Sequence, residues 1–299
     1  MANICLIDVD GHNGFPNYAL MKIAAWHKAQ GDNVSWFSPL FSKPDICYAS
    51  KIFTFTKDYP YFPQCELRKG GTGYDVKSRL PEEIDSMFPD YSIYPECDYA
   101  IGFLTRGCIR HCKWCVVPEK EGRISEYRTI IDLIRRDSRK LILMDNNFLA
   151  ANDDFVKDQL KEIIRFNLSI DFNQALDARL VTSQSAELLA KVHWIRYIRF
   201  SCDTDSQIEP VETAVRLLRE KGYCHDIFIY VLAIDFENAY SRVKRLLAID
   251  DKITPFVMPY RTLTNEKDDE GNSRQVKRLA RWCNKVWIRK SCEFEHYKG

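Results

Sequence analysis

The chain has 299 residues, enough for one large domain and a smaller one. Lys and Arg total 43 against 42 Asp and Glu, and the resulting net charge of +1 excludes a strong overall attraction to nucleic acid. The amino terminus enters a strand without a basic region or a cleavable apolar core, and no apolar run could span a bilayer, which predicts a cytoplasmic protein.

Residues 1–95 predict a small reduced Rossmann-like α/β domain. A strand from Asn3 to Val9 is followed by a loop with two glycines and by a helix from Asn17 to about Gln30. His27 lies in register with the apolar residues of this helix, so we expect it to be packed or to cap. Further strands are expected at Asn33 to Phe37, near Ile46, at Ile52 to Phe55 and near Glu66 to Arg68. No convincing amphipathic helix separates these later strands, which leaves the domain short of a full nucleotide-binding unit.

The most informative segment contains three cysteines within eight residues, Cys108, Cys112 and Cys115. It directly follows a strand-like run from Tyr99 to Leu104 and contains Gly107. Cubane iron-sulfur clusters normally take four cysteine ligands. A compact trio therefore implies either a distant fourth cysteine or an iron that is left open for another group to bind.

The pattern CxxxCxxC, with the aromatic Trp114 just before the last cysteine, resembles the signature of the radical S-adenosylmethionine (SAM) enzymes. In that family the amino and carboxylate groups of SAM chelate the unique iron. The resemblance implies a [4Fe-4S] cluster on the three cysteines, SAM as a second cofactor, and a reductant protein of the flavodoxin or ferredoxin type. It also implies that Trp114 stacks on the adenine of SAM, the alternative being ordinary packing.

Zinc is the alternative metal, because cysteines at this spacing suit a tetrahedral site and His111 could be the fourth ligand. Zinc sites usually add a second ligand pair further along the chain, and none follows here. Arg110, His111 and Lys113 make the loop cationic, which favours thiolates. Four scattered cysteines could hold an auxiliary cluster only through long, irregular spacings: Cys65, Cys97, Cys283 and Cys292. Four more are expected to be small buried hydrophobes: Cys5, Cys47, Cys202 and Cys224.

Strands and helices alternate from residue 96 to residue 262. Strands are expected at Leu141 to Met144, Leu168 to Phe172, Ile195 to Phe200, Asp226 to Leu232 and Thr254 to Met258. Helices are expected at Asp153 to Phe166, Ser183 to Val192, Pro210 to Lys221 and Phe236 to Ile249. Such βα units close into a partial parallel barrel, which has six strands in the radical SAM family. The predicted fold is therefore α/β, a partial (β/α)6 radical SAM barrel preceded by the small domain.

Polar residues follow the predicted barrel strands at their carboxyl ends, where barrel enzymes place their sites. The segment with Asp145, Asn146 and Asn147 looks like the one that holds the SAM amino group in cobalamin-type radical SAM proteins, and the alternative is an Asx turn. The next strand is followed by Asn173 and Gln174. They resemble the polar residues that the family has at the end of this strand, which implies that they contact SAM.

Arg179 is the first choice for the SAM carboxylate or ribose, because a guanidinium group binds a carboxylate through two hydrogen bonds. The alternative is a salt bridge to Asp177 or Glu187. After the following strand, Asp203 could bind a ribose hydroxyl or orient the substrate, and the alternative is a cap on the next helix.

The order of the parts resembles radical SAM proteins with an amino-terminal cobalamin-binding domain, in which a glycine-rich turn precedes a helix start like Leu80-Pro-Glu-Glu-Ile84. The loop from Asp10 through His12 to Gly14 is one residue shorter than the loop that supplies a histidine to cobalt in some of these proteins. We expect a cobalamin-domain-like fold in which cobalamin is possible but disfavoured, and His12 is expected to be a turn residue.

Residues 263–299 predict a polar linker and a basic helix from Arg274 to about Ile288. Its basic residues alternate with Trp282 and Trp287, and such a surface can grip a single nucleic-acid strand. A packed helix with a solvated face is the alternative. The expected function is a radical SAM enzyme that removes hydrogen from an unidentified substrate. The alternatives are a methyl- or methylthiotransferase of this family that modifies RNA or protein, and a zinc-binding interaction protein without catalysis.

Overall fold

The computed structural model describes residues 1–11, 14–262 and 273–299, which form an α/β protein with several parallel sheets. The chain divides into two compact units, of which the first spans Met1–Asp98 and the second begins at Tyr99. The predicted boundary after residue 95 lies close to this division. The carboxyl-terminal residues 273–299 belong to the second unit, although the sequence suggested a segment of their own. His12 lies outside the described residues, and so does the predicted polar linker from Asn265 to Ser273 except for Ser273 itself.

The first unit is built on one parallel sheet. Its elements are β1 (Asn3–Asp8), α1 (Tyr18–Ala29), β2 (Asn33–Trp36), β3 (Ile46–Ser50), β4 (Glu66–Gly70) and α2 (Glu82–Asp85). The strand order is β2-β1-β3-β4, and no helix separates β2 from β3 or β3 from β4, as the sequence indicated. The strand predicted at Ile52 to Phe55 is wrong. The Asp10 carboxylate accepts hydrogen bonds from the Ile52 N–H and the Thr56 hydroxyl, and these bonds tie the segment into a loop.

Alternate residues of β1 reach the two faces of this sheet, as strand geometry requires. Ile4 and Leu6 pack against α1, whereas Cys5 and Ile7 lie on the opposite face. His27 is buried in α1, with Nδ1 2.8 Å from Asp32 Oδ2 and Nε2 3.0 Å from the Tyr48 hydroxyl. These two partners confirm that His27 is a packed histidine.

The second unit contains two parallel sheets and a short antiparallel hairpin. Its strands are β5 (Ala100–Gly102), β6 (Thr105–Arg106), β7 (Ser125–Glu126), β8 (Lys140–Leu143), β9 (Ser169–Phe172), β10 (His193–Trp194), β11 (Ile198–Ser201), β12 (Ile227–Ala233) and β13 (Ile253–Pro259). The sheet orders are β10-β9-β8-β5 and β11-β12-β13, with β6 paired to β7. An isolated parallel bridge joins Leu176 to Phe200. Within the described residues the sheets do not close into a barrel.

The second unit also contains seven α-helices among its described residues. They are α3 (Val117–Lys120), α4 (Asp153–Arg165), α5 (Ser183–Lys191), α6 (Ile208–Glu220), α7 (Phe236–Ile249), α8 (Arg274–Asn284) and α9 (Val286–Ser291). The Asn152 side chain caps α4 by accepting the Asp154 N–H, and Leu160 and Ile163 of that helix are fully buried. Each fully buried aliphatic side chain contributes about 1.5–3 kcal/mol to stability. No described helix combines the length and apolarity that crossing a bilayer would require.

The basic helix differs from its prediction. It breaks at Lys285, whose φ of −105° and ψ of 91° are not helical, so that α8 and α9 replace one continuous helix. Trp282 is only 3% exposed and belongs to the main core, which leaves Trp287 as the exposed tryptophan of α8 and α9.

Candidate functional site

The three clustered cysteines lie in a loop that a hairpin closes. Strands β6 and β7 pair Thr105 with Glu126 on either side of the loop. The guanidinium of Arg106 donates to both carboxylate oxygens of Glu121, over 3.0 and 2.9 Å. The Cys108 N–H donates to the carbonyl of Gly122 over 3.2 Å. Contacts within the protein therefore hold the two ends of the loop together.

Gly107, immediately before the first cysteine, has a φ of +80°, where glycine is strongly favoured. A Cβ atom at this position would lie 2.2 Å from the Arg123 carbonyl oxygen and 2.8 Å from that of Gly122. No side chain fits against two backbone oxygens so close. Gly107 thus allows the two arms of the loop to touch.

Asp145, which follows β8, anchors the entry to the loop. It is 1% exposed, and its carboxylate accepts hydrogen bonds from the Leu104 N–H, the Thr105 N–H and the Thr105 hydroxyl. Burial raises its pKa to about 6, against the opposing effect of these donors. The interaction of Asp145 with SAM stays a prediction. Its contacts in the structure position the segment that leads to Cys108.

The next two residues contact the cysteine loop directly. Asn146 Oδ1 accepts the Gly107 N–H over 3.2 Å, and Asn147 Nδ2 donates to Cys108 Sγ over 3.4 Å. Asn147 is 4% exposed, and its Oδ1 is a buried oxygen without a hydrogen-bond partner in the described part of the chain. It precedes a short 3-10 turn without capping it. The amide nitrogen of Asn147 therefore binds the Cys108 thiol, while its amide oxygen accepts no hydrogen bond from the described residues.

Two arginines share one buried carboxylate beyond β9. Arg179 binds Asp177 through Nε and Nη2, over 2.6 and 2.9 Å, and Arg110 Nε lies 3.1 Å from the same carboxylate. Burial of Asp177 acts to raise its pKa, but the two guanidinium groups outweigh burial and hold the pKa below its usual value. The salt-bridge alternative for Arg179 is thus realised with Asp177, whereas Glu187 pairs with Lys191 over 2.8 Å. The two guanidinium groups and the one carboxylate together carry a net charge of +1.

Asp203 lies after β11 and bonds across to the neighbouring strand. Its Oδ1 accepts the Leu232 N–H over 3.2 Å, and burial raises its pKa. The following turn is capped by Thr204 in a capping box with Gln207, so Asp203 does not have the capping role. The remaining predicted residues of this edge, Asn173 and Gln174, bond to each other over 3.2 Å.

The structure brings the cysteines close to these charged residues. Burial raises the pKa of the Cys112 thiol, while Arg179 lowers it and Asp203 and Cys108 raise it further. Cys115 is exposed as a residue, yet loss of water around its sulfur also raises its thiol pKa. Burial thus opposes the thiolate-favouring effect expected of the loop cations at these two thiols, and Arg110 is engaged by Asp177.

The three thiols belong to one loop, but in this structure their sulfur atoms are not arranged to bind one metal ion together. Among the described residues, no group of three or more His, Cys, Asp or Glu side chains is arranged to hold one metal ion. His111, the alternative zinc ligand, is exposed, and Trp114 is half-buried. Outside the loop Cys5, Cys47 and Cys202 are buried as predicted, whereas Cys224 is exposed. Of the cysteines considered for an auxiliary cluster, Cys65 and Cys97 lie in the first unit, and Cys283 and Cys292 in the second.

The residues of this edge fit a sulfur-ligated metal cluster with an organic ligand beside it. Thiols supply the soft donors, the Asn147 N–H supplies a hydrogen bond to sulfur, and Arg179 supplies positive charge near Cys112. The unsatisfied Asn147 oxygen could accept a hydrogen bond from an ammonium group. Sequence reasoning missed the loop anchors Arg106, Glu121 and Thr105, because their partners lie too far along the chain to form a local motif. No family model matches the chain, and no curated protein matches it either.

Proposed function

We propose that the chain is a radical SAM enzyme, with a [4Fe-4S] cluster bound by Cys108, Cys112 and Cys115. The observation that carries the proposal is the contact of Asn147 with Cys108, which couples the cysteine loop to a buried, unsatisfied acceptor. When bound, the cluster would supply the electron that splits SAM into methionine and a 5′-deoxyadenosyl radical, and this radical would take a hydrogen atom from the substrate to give 5′-deoxyadenosine.

The strand order supports a partial six-stranded barrel around this site. The bridge between Leu176, which follows β9, and Phe200 in β11 places the two parallel sheets side by side. Strands β5, β8 and β9 pair in parallel in that order, as do β11, β12 and β13, and the Leu176 bridge links the two series next to β9. Parallel neighbours end at a common edge, and in barrels that edge carries the active site.

The chain's own residues would hold and orient the cofactors. Asn147 donates to Cys108 and offers its free carbonyl oxygen to the SAM amino group. Arg179, whose charge acts on Cys112, would bind the SAM carboxylate with the part of its guanidinium that Asp177 does not engage. Asp203 is the acceptor for a ribose hydroxyl, and Trp114 is placed one residue before Cys115 to contact adenine. The electron donor is expected to be a flavodoxin or a ferredoxin. The first unit has one long helix among its described residues, so we do not include cobalamin in the proposal.

Anaerobic purification followed by metal and sulfide analysis tests the cluster. We expect about four irons and four sulfides per chain, and formation of 5′-deoxyadenosine from SAM under reducing conditions. Cys112→Ala is expected to lose the brown colour and the cleavage of SAM. Cys224→Ala is the matched control, because it removes an exposed cysteine outside the loop.

Two results would contradict the proposal. Stoichiometric zinc without sulfide would support the zinc-binding alternative. Formation of 5′-deoxyadenosine by Cys112→Ala at the wild-type rate would refute the ligand assignment. Analysis of methyl and methylthio products in candidate RNA and protein substrates separates simple hydrogen abstraction from group transfer.

A further inference from the structure

The solvent face of α8 carries three basic residues, Arg274, Lys277 and Arg281, and Lys285 follows directly after the helix ends. We call these four residues the basic row. Spacings of three and four residues place them on one side of the helix. All four are exposed, and no carboxylate of the described residues forms an ion pair with any of them. The apolar residues of α8, including Val276, pack into the main core. Within the described part of the chain the row is therefore presented to solvent.

The positive charge is concentrated in this part of the chain. Residues 273–299 contain eight Lys and Arg against two Glu, whereas the whole chain has a net charge of +1. Arg278 is the exception on α8, because its guanidinium is used internally and donates to the carbonyls of Phe294 and Tyr297. A local surplus of this size on a nearly neutral protein marks a surface for a polyanion.

An exposed aromatic ring lies at the end of the row. Trp287 in α9 is 68% exposed, although tryptophan is usually largely buried. The Lys285 Nζ lies 5.1 Å from its ring centroid, so the last cation of the row and the indole are adjacent. Cations that track a backbone, together with aromatic rings on which bases stack, are what single-strand binding surfaces share.

We propose that the basic row and Trp287 bind single-stranded nucleic acid. The three helical cations of the row are separated by about 4.5 and 6 Å along the helix axis, from a rise of about 1.5 Å per residue, and this spacing suits a phosphate backbone. The indole at one end would then stack on a base. An acidic protein surface would match the charge but neither the spacing nor the stacking. This surface does not depend on the proposed cluster chemistry.

Fluorescence anisotropy of the full chain with a labelled short oligouridine tests the surface, and circular dichroism melts check that each variant folds. Lys277→Glu/Arg281→Glu is expected to weaken binding at least tenfold. It should also flatten the plot of log Kd against log salt by about 1.4, since each neutralised phosphate of a single strand contributes about 0.7. Trp287→Ala is expected to lose the quenching of tryptophan fluorescence and to weaken binding by about tenfold.

The matched control is Lys161→Glu/Arg165→Glu, an exposed basic pair at the same spacing on α4 that is already paired with acids. It should bind as the wild type does, and so should Cys112→Ala, which separates this proposal from the cluster. Absence of wild-type binding at low salt would overturn the proposal, as would an equal loss in the control. Competition by polyglutamate as effective as by unlabelled oligouridine would overturn it in favour of an acidic polypeptide partner.

Discussion

The side-chain amide of Asn147 donates a hydrogen bond to Cys108 Sγ over 3.4 Å, while its carbonyl oxygen is buried and unpaired among the described residues. A buried acceptor without a donor costs about 1–3 kcal/mol of stability. Folding alone therefore gives no reason for an amide at this position. A bound group with an N–H donor would satisfy the oxygen, which is the role of SAM in the proposed function.

Asn147→Leu is expected to lower the reduction potential of the reconstituted cluster by about 40 mV. The N–H donor stabilises the more negative charge of the reduced cluster, so its loss disfavours reduction. A hydrogen bond that contributes about 1 kcal/mol corresponds to a shift of about 40 mV for one electron. A redox titration followed by electron paramagnetic resonance measures it. In the metal-free protein the same change should leave stability unchanged or raise it, because it removes the unpaired oxygen.

Asn146→Leu is the control for this shift, because Asn146 contacts the backbone of Gly107 and no cysteine sulfur. The potential of Asn146→Leu should match that of the wild type even if less cluster is incorporated. Equal potentials in all three proteins would show that the contact of Asn147 with Cys108 is structural only.

Arg179→Gln is expected to weaken SAM binding about tenfold or more, because a hydrogen bond to a charged group contributes about 1.5–3 kcal/mol. Arg110 binds the same Asp177 carboxylate through one nitrogen, so Arg110→Gln is the matched variant and should weaken SAM binding less. Equilibrium dialysis of reconstituted protein measures both affinities. A lower melting temperature with unchanged SAM affinity would assign Arg179 to the ion pair with Asp177 alone.

Local patterns predicted much of the second unit. The apolar period of α4 and of α7 gave helices whose bounds differ little from those observed, because each helix buries one continuous face. The strand predicted at Ile52 to Phe55 is absent, since its β-forming residues are tied down by Asp10, more than forty positions earlier. Propensity contains no information about such a distant partner.

At the candidate site, too, local patterns could be predicted from the sequence and contacts between distant residues could not. The spacing of Cys108, Cys112 and Cys115 is visible in the sequence, and so are the polar residues after the strands. The sequence could not show that Asp145 serves Leu104 and Thr105, or that Arg110 and Arg179 share Asp177, because each pairing depends on how the loops meet in space. The sequence named Trp282 and Trp287 together and left a packed helix as the alternative, and only the fold separates the buried Trp282 from the exposed Trp287.

Gly107→Ala is expected to lower both the melting temperature and the iron and sulfide content. The new Cβ would meet the carbonyl oxygens of Arg123 and Gly122, so the loop arms must separate next to Cys108. Gly122→Ala is the matched control, because Gly122 also has a positive φ, of +74°, but a Cβ there meets no atom within 4 Å. It should cost only about 1 kcal/mol. Similar cluster loss in both variants would show that backbone strain, and not the close approach at Gly107, controls the loop.

The buried Asp145 carboxyl gives the protein a specific pH dependence. Burial raises its pKa from 3.8 to about 6, so the folded protein holds this proton more tightly than the unfolded chain does. The contribution of Asp145 to stability is therefore fully present below about pH 4 and is lost as the pH rises through 6. The difference in pKa corresponds to about 3 kcal/mol.

The amide of Asp145→Asn does not titrate, so its free energy of unfolding should lack the pH dependence that Asp145 gives the wild type. We expect the wild type to lose about 2.4 kcal/mol of this difference relative to Asp145→Asn between pH 4 and pH 7, as urea unfolding of the metal-free proteins at a series of pH values would measure. Other carboxyl groups titrate in both proteins and cancel in the difference. A wild type that gains stability relative to the variant as the pH rises would mean that the Leu104 and Thr105 donors outweigh burial and that Asp145 is ionised throughout the range.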